Sequence, residues 1–190
     1  QKLNIKKNYF IFWYFQNIQN LNKNIIDVEN FFSFKKNYFK NKLYKKINTY
    51  KNSVCLHIRR GDYLTPKYKK KYNILNDEYY LRAINLFLKK KKKIHLFIFS
   101  DDEKYAKNFC DKIQNKHELS YTLIKKNSSD QDLFLMSCCK NFIIANSTFS
   151  WWAAIISKNK NKIIMTPQDW YKNKNDNKNN KLNFKQWIKL

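Results

Sequence analysis

Arg59, Arg60, Gly61 and Asp62 stand together in the run HIRRGDY, residues 57–63. The chain carries 39 Lys and Arg residues, yet its arginines are only Arg59, Arg60 and Arg82, and Gly61 is its one glycine. A guanidinium is planar, always charged, and offers a fork of donors that matches two phosphate oxygens; an ammonium offers a point charge. Two such forks beside a residue that lets the backbone turn sharply or approach a ligand closely suit a diphosphate leaving group. The plainer use of the same residues is an arginine–Asp62 ion pair that holds the turn. His57 and Arg59 would share one face of a strand, with Ile58 on the other. His57 taken alone is more often a satisfied core histidine than a ligand.

Three more polar clusters carry candidate groups. SDDE begins with Ser100, Asp101 and Asp102. ANSTFSWWAA supplies Asn146, Ser147, Thr148 and Ser150 at a strand-to-helix junction, where hydroxyls cap a helix and free N–H groups face outward. TPQDW is the last, at 166–170. Asp130 and Asp132 form a D-x-D that a metal–nucleotide site could use. Acidic residues in a first helical turn also simply complement the dipole, and no metal site is expected. One glycine cannot build GxGxxG or GxxxxGK[ST], so those phosphate loops are excluded. Cys55, Cys110, Cys138 and Cys139 form no CxxC, and the histidines at 57, 95 and 117 are scattered, so reduced, buried thiols in a cytosolic protein are expected.

The elements between these clusters alternate. SVCLHI, KIHLFIFS, LSYTLI, NFIIAN and NKIIMT read as buried strands. Between them lie helical patterns at 76–92, 102–114, 128–139 and 148–157; the first has an Asn-led acidic start and a lysine end. Strands alternating with helices predict an α/β, Rossmann-like parallel sheet with flanking helices. In such a sheet ligands sit at the C-terminal ends of the strands, where the four clusters fall. Apolar residues at helical spacing predict one helix over 30–50. The lysine- and asparagine-rich run 172–183 reads as a loop, and FKQWIKL as a short closing helix.

A formal charge of +25 raises the question of nucleic acid. The excess is almost entirely lysine, accompanied by 27 asparagines, which marks compositional bias rather than a phosphate-reading surface. No nucleic-acid partner is expected, and peripheral attraction to an anionic inner-membrane surface is compatible with the charge. No stretch reaches the ~18 apolar residues of a membrane span.

HIRRGDY, then FSDD, then DLFLMSCCKNFIIANSTFSWWAA, then IIMTPQDW resemble, in order and spacing, the bacterial α-1,2-fucosyltransferases of glycosyltransferase family 11. WYFQN at 13–17 and FFSFK at 31–35 are similar to that family as well. The resemblance implies a two-domain GT-B architecture, with residues 53–190 as the GDP-fucose-binding domain and residues 1–52 as a remnant of the acceptor side with a linking helix. It implies metal-free, inverting transfer of L-fucose from GDP-L-fucose, without a cofactor, to the 2-hydroxyl of a galactose-containing glycan, lipid-linked acceptors included, at the cytoplasmic face of the inner membrane. Arg59 and Arg60 would grip the diphosphate, with Gly61 allowing the turn. His57, Ser100, Asp101, Asp102, Asn146, Ser147, Thr148 and Ser150 would line the donor pocket. Asp62 is a candidate base, and equally a group that orients an arginine. The glycine-rich opening of that family is absent, so an N-terminally truncated chain is expected. An inactive donor-binding remnant and a basic nucleic-acid- or membrane-binding protein are the alternatives.

Overall fold

The computed structural model describes residues 33–91, 93–114, 119–125, 127–180, 182 and 184–190. WYFQN and the start of FFSFK lie outside the described residues. Six strands form one sheet: β1 (Ser53–Ile58), β2 (Ile94–Ser100), β3 (Leu119–Leu123), β4 (Asn141–Ile143), β5 (Ile164–Thr166) and β6 (Ile188–Lys189). Their order is β3-β2-β1-β4-β5-β6, and every pairing is parallel. The direction of winding reverses between β1 and β4, which makes that pair the topological switch point. All six residues of β1 are buried, as expected of a strand covered on both faces.

Seven α-helices accompany the sheet among the described residues: α1 (Lys42–Thr49), α2 (Pro66–Lys69), α3 (Asp77–Lys90), α4 (Glu103–Ile113), α5 (Ser129–Ser137), α6 (Thr148–Ile156) and α7 (Lys174–Asn179). The period-two alternation of β1 sorts its side chains into two cores. Val54, Leu56 and Ile58 join Tyr80, Ile84 and Phe87 of α3 and Phe109 of α4. Cys55 joins Phe97 of β2, Ile47 of α1, Phe134 of α5 and Trp151 of α6. Truncating one of these fully buried side chains, such as Leu56, costs about 2–5 kcal/mol.

Three local expectations are corrected. The single helix expected over 30–50 is broken: a 3-10 turn at Lys36–Lys40 ends at Asn41, whose extended backbone and side chain cap α1 by accepting from Leu43 N–H at 2.7 Å. The run 172–183 contains α7, which Asn173 caps by accepting from Asn175 N–H at 2.8 Å. The closing segment ends as β6 instead of a helix. Its backbone answers the open edge of β5, with Leu190 N–H donating to Thr166 O at 3.0 Å and Gln168 N–H to Leu190 O at 2.8 Å.

Candidate functional site

A cavity of about 740 Å³ opens at the C-terminal edge of the sheet, over the switch point. All four polar clusters contribute to it. His57, Arg59, Asp62, Ser100, Asp101, Asn146, Ser147 and Thr148 line the wall, and Trp170 adds the end of TPQDW. Arg60, Gly61, Asp102 and Ser150 are not brought to that wall.

Strand register explains where Arg59 points. His57 pairs with Phe99 and Ile58 with Ser100, so Arg59 comes opposite Asp101. Arg59 Nη1 lies 2.6 Å from Asp101 Oδ2, and its Nη2 lies 2.7 Å from Asp62 Oδ1. Two carboxylates therefore aim one guanidinium into the cavity, which leaves N–H donors of its five for a ligand. The ion pair with Asp62 and a phosphate-facing arginine are thus compatible.

Alternation sends Arg60 the other way, with Ile58, toward α3 and α4. Its guanidinium lies 4.0 Å from the centre of the Tyr105 ring, and its Nε stands 3.4 Å from Asp102 Oδ2, close enough to attract but not aligned as a hydrogen bond. Its backbone N–H donates to Asp101 Oδ1 at 2.8 Å. Asp102 caps α4, accepting from Tyr105 N–H at 2.9 Å. Ser150 is fully buried, and its hydroxyl donates to Ser147 O at 3.3 Å. These residues build the floor and the turn around the cavity.

The helix that starts the far wall departs from expectation. Ser147 stands at the N-cap of α6 but its hydroxyl makes no capping bond. Ser147, Thr148 and Phe149 line the cavity at that end, so the first N–H groups of α6 lie beside the space a ligand would fill. Asn146 donates both protons of Nδ2, to Asn73 O and Trp170 O, each at 2.8 Å, and so ties two loops together. His57 is 5% exposed, and its Nδ1 has no partner among the described residues. Burial holds its imidazole down to about 4; Asp101 opposes the effect and Arg59 adds to it.

One carboxylate on the wall has no cation paired with it among the described residues. Asp132 accepts from Asn127 Nδ2 at 3.0 Å, and burial raises its pKa. Its D-x-D neighbour Asp130 points elsewhere, bonded to Tyr38 and 3.7 Å from Lys35 Nζ. Among the described residues no group of three His, Cys, Asp or Glu is placed to hold a metal ion.

The whole chain, residues 1–190, matches the family model described as glycosyl transferase family 11. The chain belongs to glycosyltransferase family 11. Over 202 residues it is 34% identical to the O-antigen biosynthesis glycosyltransferase WbnK of Escherichia coli, covering 100% of this chain and 63% of that protein. It is also 34% identical over 121 residues to an alpha-1,2-colitosyltransferase of Escherichia coli, covering 63% of this chain and 41% of that one. This family 11 chain thus spans less than two thirds of the length of either relative. The apo-form crystal structure of POFUT1 overlays on 72% of the chain and 48% of its own, with 10% identity and a TM-score of 0.48. A likeness at that level adds nothing to the family assignment.

The remaining lining residues of this family 11 cavity differ in how visible they were. Tyr63 and Trp170 sit inside quoted motifs, and Asp132 inside the D-x-D. Tyr68, Lys71, Tyr72 and Tyr171 carry no pattern of their own in the sequence. They reach the cavity because an antiparallel bridge pairs Tyr72 with Tyr171 across 98 intervening residues.

Proposed function

We propose that this chain forms the donor-binding part of an inverting GT-B glycosyltransferase that moves L-fucose from GDP-L-fucose to the 2-hydroxyl of a galactoside. The observation that supports this most directly is one cavity, at the switch point, in which a guanidinium, a helix N-terminus and a carboxylate held only by an amide among the described residues face the same space. Arg59 and the start of α6 suit a diphosphate. Asp132 suits the paired N–H donors on the edge of guanine, where a carboxylate can accept two bonds at once. The galactoside oxygen forms its bond to the fucose C1 on the face opposite GDP, the C1–O bond breaks, and its electron pair goes to the diphosphate. Arg59 binds that growing charge more strongly than the ground state, which is what accelerates transfer. Asp62, held by Arg59, acts in this reading as a positioning group. The base that takes the acceptor proton has no assigned residue.

With arginine carrying the charge, the reading needs no metal, and divalent ions should not be required. The O-antigen named for one relative supplies the acceptor class, a surface glycan assembled at the cytoplasmic face of the inner membrane, where a lysine-rich surface would meet anionic lipid. The other relative's name favours colitose as the competing donor sugar. Transfer assays on galactosides should therefore offer fucose and colitose donors together, with the linkage read by NMR. An α-1,2-fucosyl product supports the reading. A colitosyl product alone overturns the sugar assignment, and donor binding without any transfer marks an inactive remnant.

A further inference from the structure

One rim of the cavity is built of tyrosines whose hydroxyls bond to no group among the described residues. Tyr68, Tyr72 and Tyr171 line the cavity and are half-buried. Three tyrosines close by do have a protein acceptor: Tyr63 donates to Asn146 O at 2.9 Å, Tyr79 to Ile144 O at 2.6 Å and Tyr105 to Asp77 Oδ1 at 2.5 Å, whereas the buried Tyr80 hydroxyl, which does not line the cavity, has none among the described residues. Among the described residues, the hydroxyls of Tyr68, Tyr72 and Tyr171 have none.

These rings are set in place before any ligand arrives. Tyr72 lies flat on Tyr63, with centroids 4.5 Å apart and planes within 6°. Tyr171 is 5.4 Å and Tyr68 6.1 Å from Tyr72. The two loops that carry them are stitched by backbone bonds: Asn73 N–H donates to Trp170 O at 3.1 Å and Lys172 N–H to Lys71 O at 3.0 Å. Asn73 Nδ2 adds a bond to Tyr171 O at 2.9 Å, and Asn146 clamps both loops from below. Such pre-ordering lowers the entropy lost on binding.

The chemistry of the rim differs from that of the opposite wall. Asp101 follows β2 and Tyr171 follows β5, and those strands lie on opposite sides of the β1–β4 pair. One side offers carboxylates and the start of α5; the other offers aromatic faces, free phenol groups and the Lys71 ammonium, 5.4 Å from the Tyr72 ring centre. An aromatic face carries negative charge density that attracts C–H groups, while a phenol edge bonds hydroxyls. A galactose-type pyranose presents both: a patch of C–H bonds on one face and hydroxyls around its edge.

We propose that Tyr68, Tyr72 and Tyr171 form the acceptor platform of this site, taking the C–H face of a galactoside beside the donor pocket. The inference rests on the glycosyltransferase reading above and places part of the acceptor site in this chain.

The test is saturation-transfer NMR on this chain with methyl β-D-galactopyranoside, with and without saturating GDP, and a GDP thermal shift on the same samples. Ring protons of the galactoside should receive saturation from the protein. Tyr68→Ala and Tyr72→Ala should each weaken sugar binding by roughly fivefold, a typical loss for one aromatic face. Tyr72→Phe keeps the face and should retain most of the binding, and all three variants should keep the GDP shift of the parent. Absence of a sugar signal in the parent overturns the platform, as does an unchanged signal in both alanine variants. Loss of the GDP shift in those folded variants would assign the rim to the nucleotide and overturn it too. Sugar binding that depends on these rings, in a parent that gives no GDP shift, would keep the platform and remove the donor assignment instead.

Discussion

The carboxylate of Asp101 occupies the space that a side chain on Gly61 would need: a Cβ there would stand 2.6 Å from Asp101 Oδ2. That oxygen is the one that holds Arg59, at 2.6 Å. The single glycine of the chain is therefore explained by its neighbour across the sheet. It lets β2 deliver a carboxylate beneath the turn, and the carboxylate aims the guanidinium.

Gly61→Ala should push that carboxylate aside and release Arg59. The expected cost is about 1 kcal/mol of stability, at the low end for overpacking because a side-chain tip can move, together with weaker GDP binding. In an Asp101→Ala background the alanine at 61 should cost nothing further. Urea midpoints of the two single variants and the double variant measure the coupling; additive costs would contradict the contact.

Arg60 should behave unlike Arg59. It packs on Tyr105 and approaches Asp102, away from the cavity. Arg60→Ala should destabilise the fold by about 1–2 kcal/mol, through the lost ring contact and the exposed helix cap, and leave GDP affinity nearly unchanged. Isothermal titration beside thermal unfolding separates the two effects.

The contrast between the arginines shows how much of this site was legible. Period two was read from the sequence for His57, Ile58 and Arg59, and one more step of it turns Arg60 to the other face. The five strands and four longer helices between 53 and 166 are legible because apolar runs alternate with polar, hydroxyl- or acid-led helix starts; α2, a single turn with no buried residue, has no such signal and is not anticipated. The end of the chain was not: β6 owes its form to the free edge of β5, and Trp187 and Phe184 pack on Trp151, contacts that a local pattern does not contain. The tyrosine rim was hidden for the same reason, since it exists only where Tyr72 meets Tyr171.

Asp132 should govern the choice of base. Asp132→Asn replaces an acceptor of two N–H groups by one acceptor and one donor. Affinity for GDP should fall by the equivalent of about 1–3 kcal/mol, the range for a paired contact to a base edge, and the preference over ADP should shrink with it. Competition titrations with GDP, ADP and UDP test this; equal losses for all three would place Asp132 away from the base.

Two buried histidines set a pH dependence. Burial holds His57 down to about 4, and burial with Lys46 nearby does the same to His95. Both folded values lie below the unfolded value of 6.5, so between about 4 and 6.5 the native state binds fewer protons than the unfolded one. Stability then rises with pH across that window and is lost as pH falls through it, by on the order of 3 kcal/mol for His57. Asp130 and Asp77, whose values are lowered, contribute chiefly below that window, and Asp132, raised by burial, acts in the opposite sense. Urea midpoints at pH 7 and 4.5 should differ in the parent and converge in a His57→Gln, His95→Gln double variant.

The central claim is a metal-free diphosphate site built on Arg59, and a thermal shift with GDP tests it most directly. A ligand that binds only the native state raises apparent stability by mass action. The account predicts that GDP raises the unfolding temperature of this chain, equally with and without a chelator, and that Arg59→Ala loses the shift while remaining folded. A folded parent that GDP does not stabilise, or a shift that needs a divalent ion or survives Arg59→Ala, would contradict it.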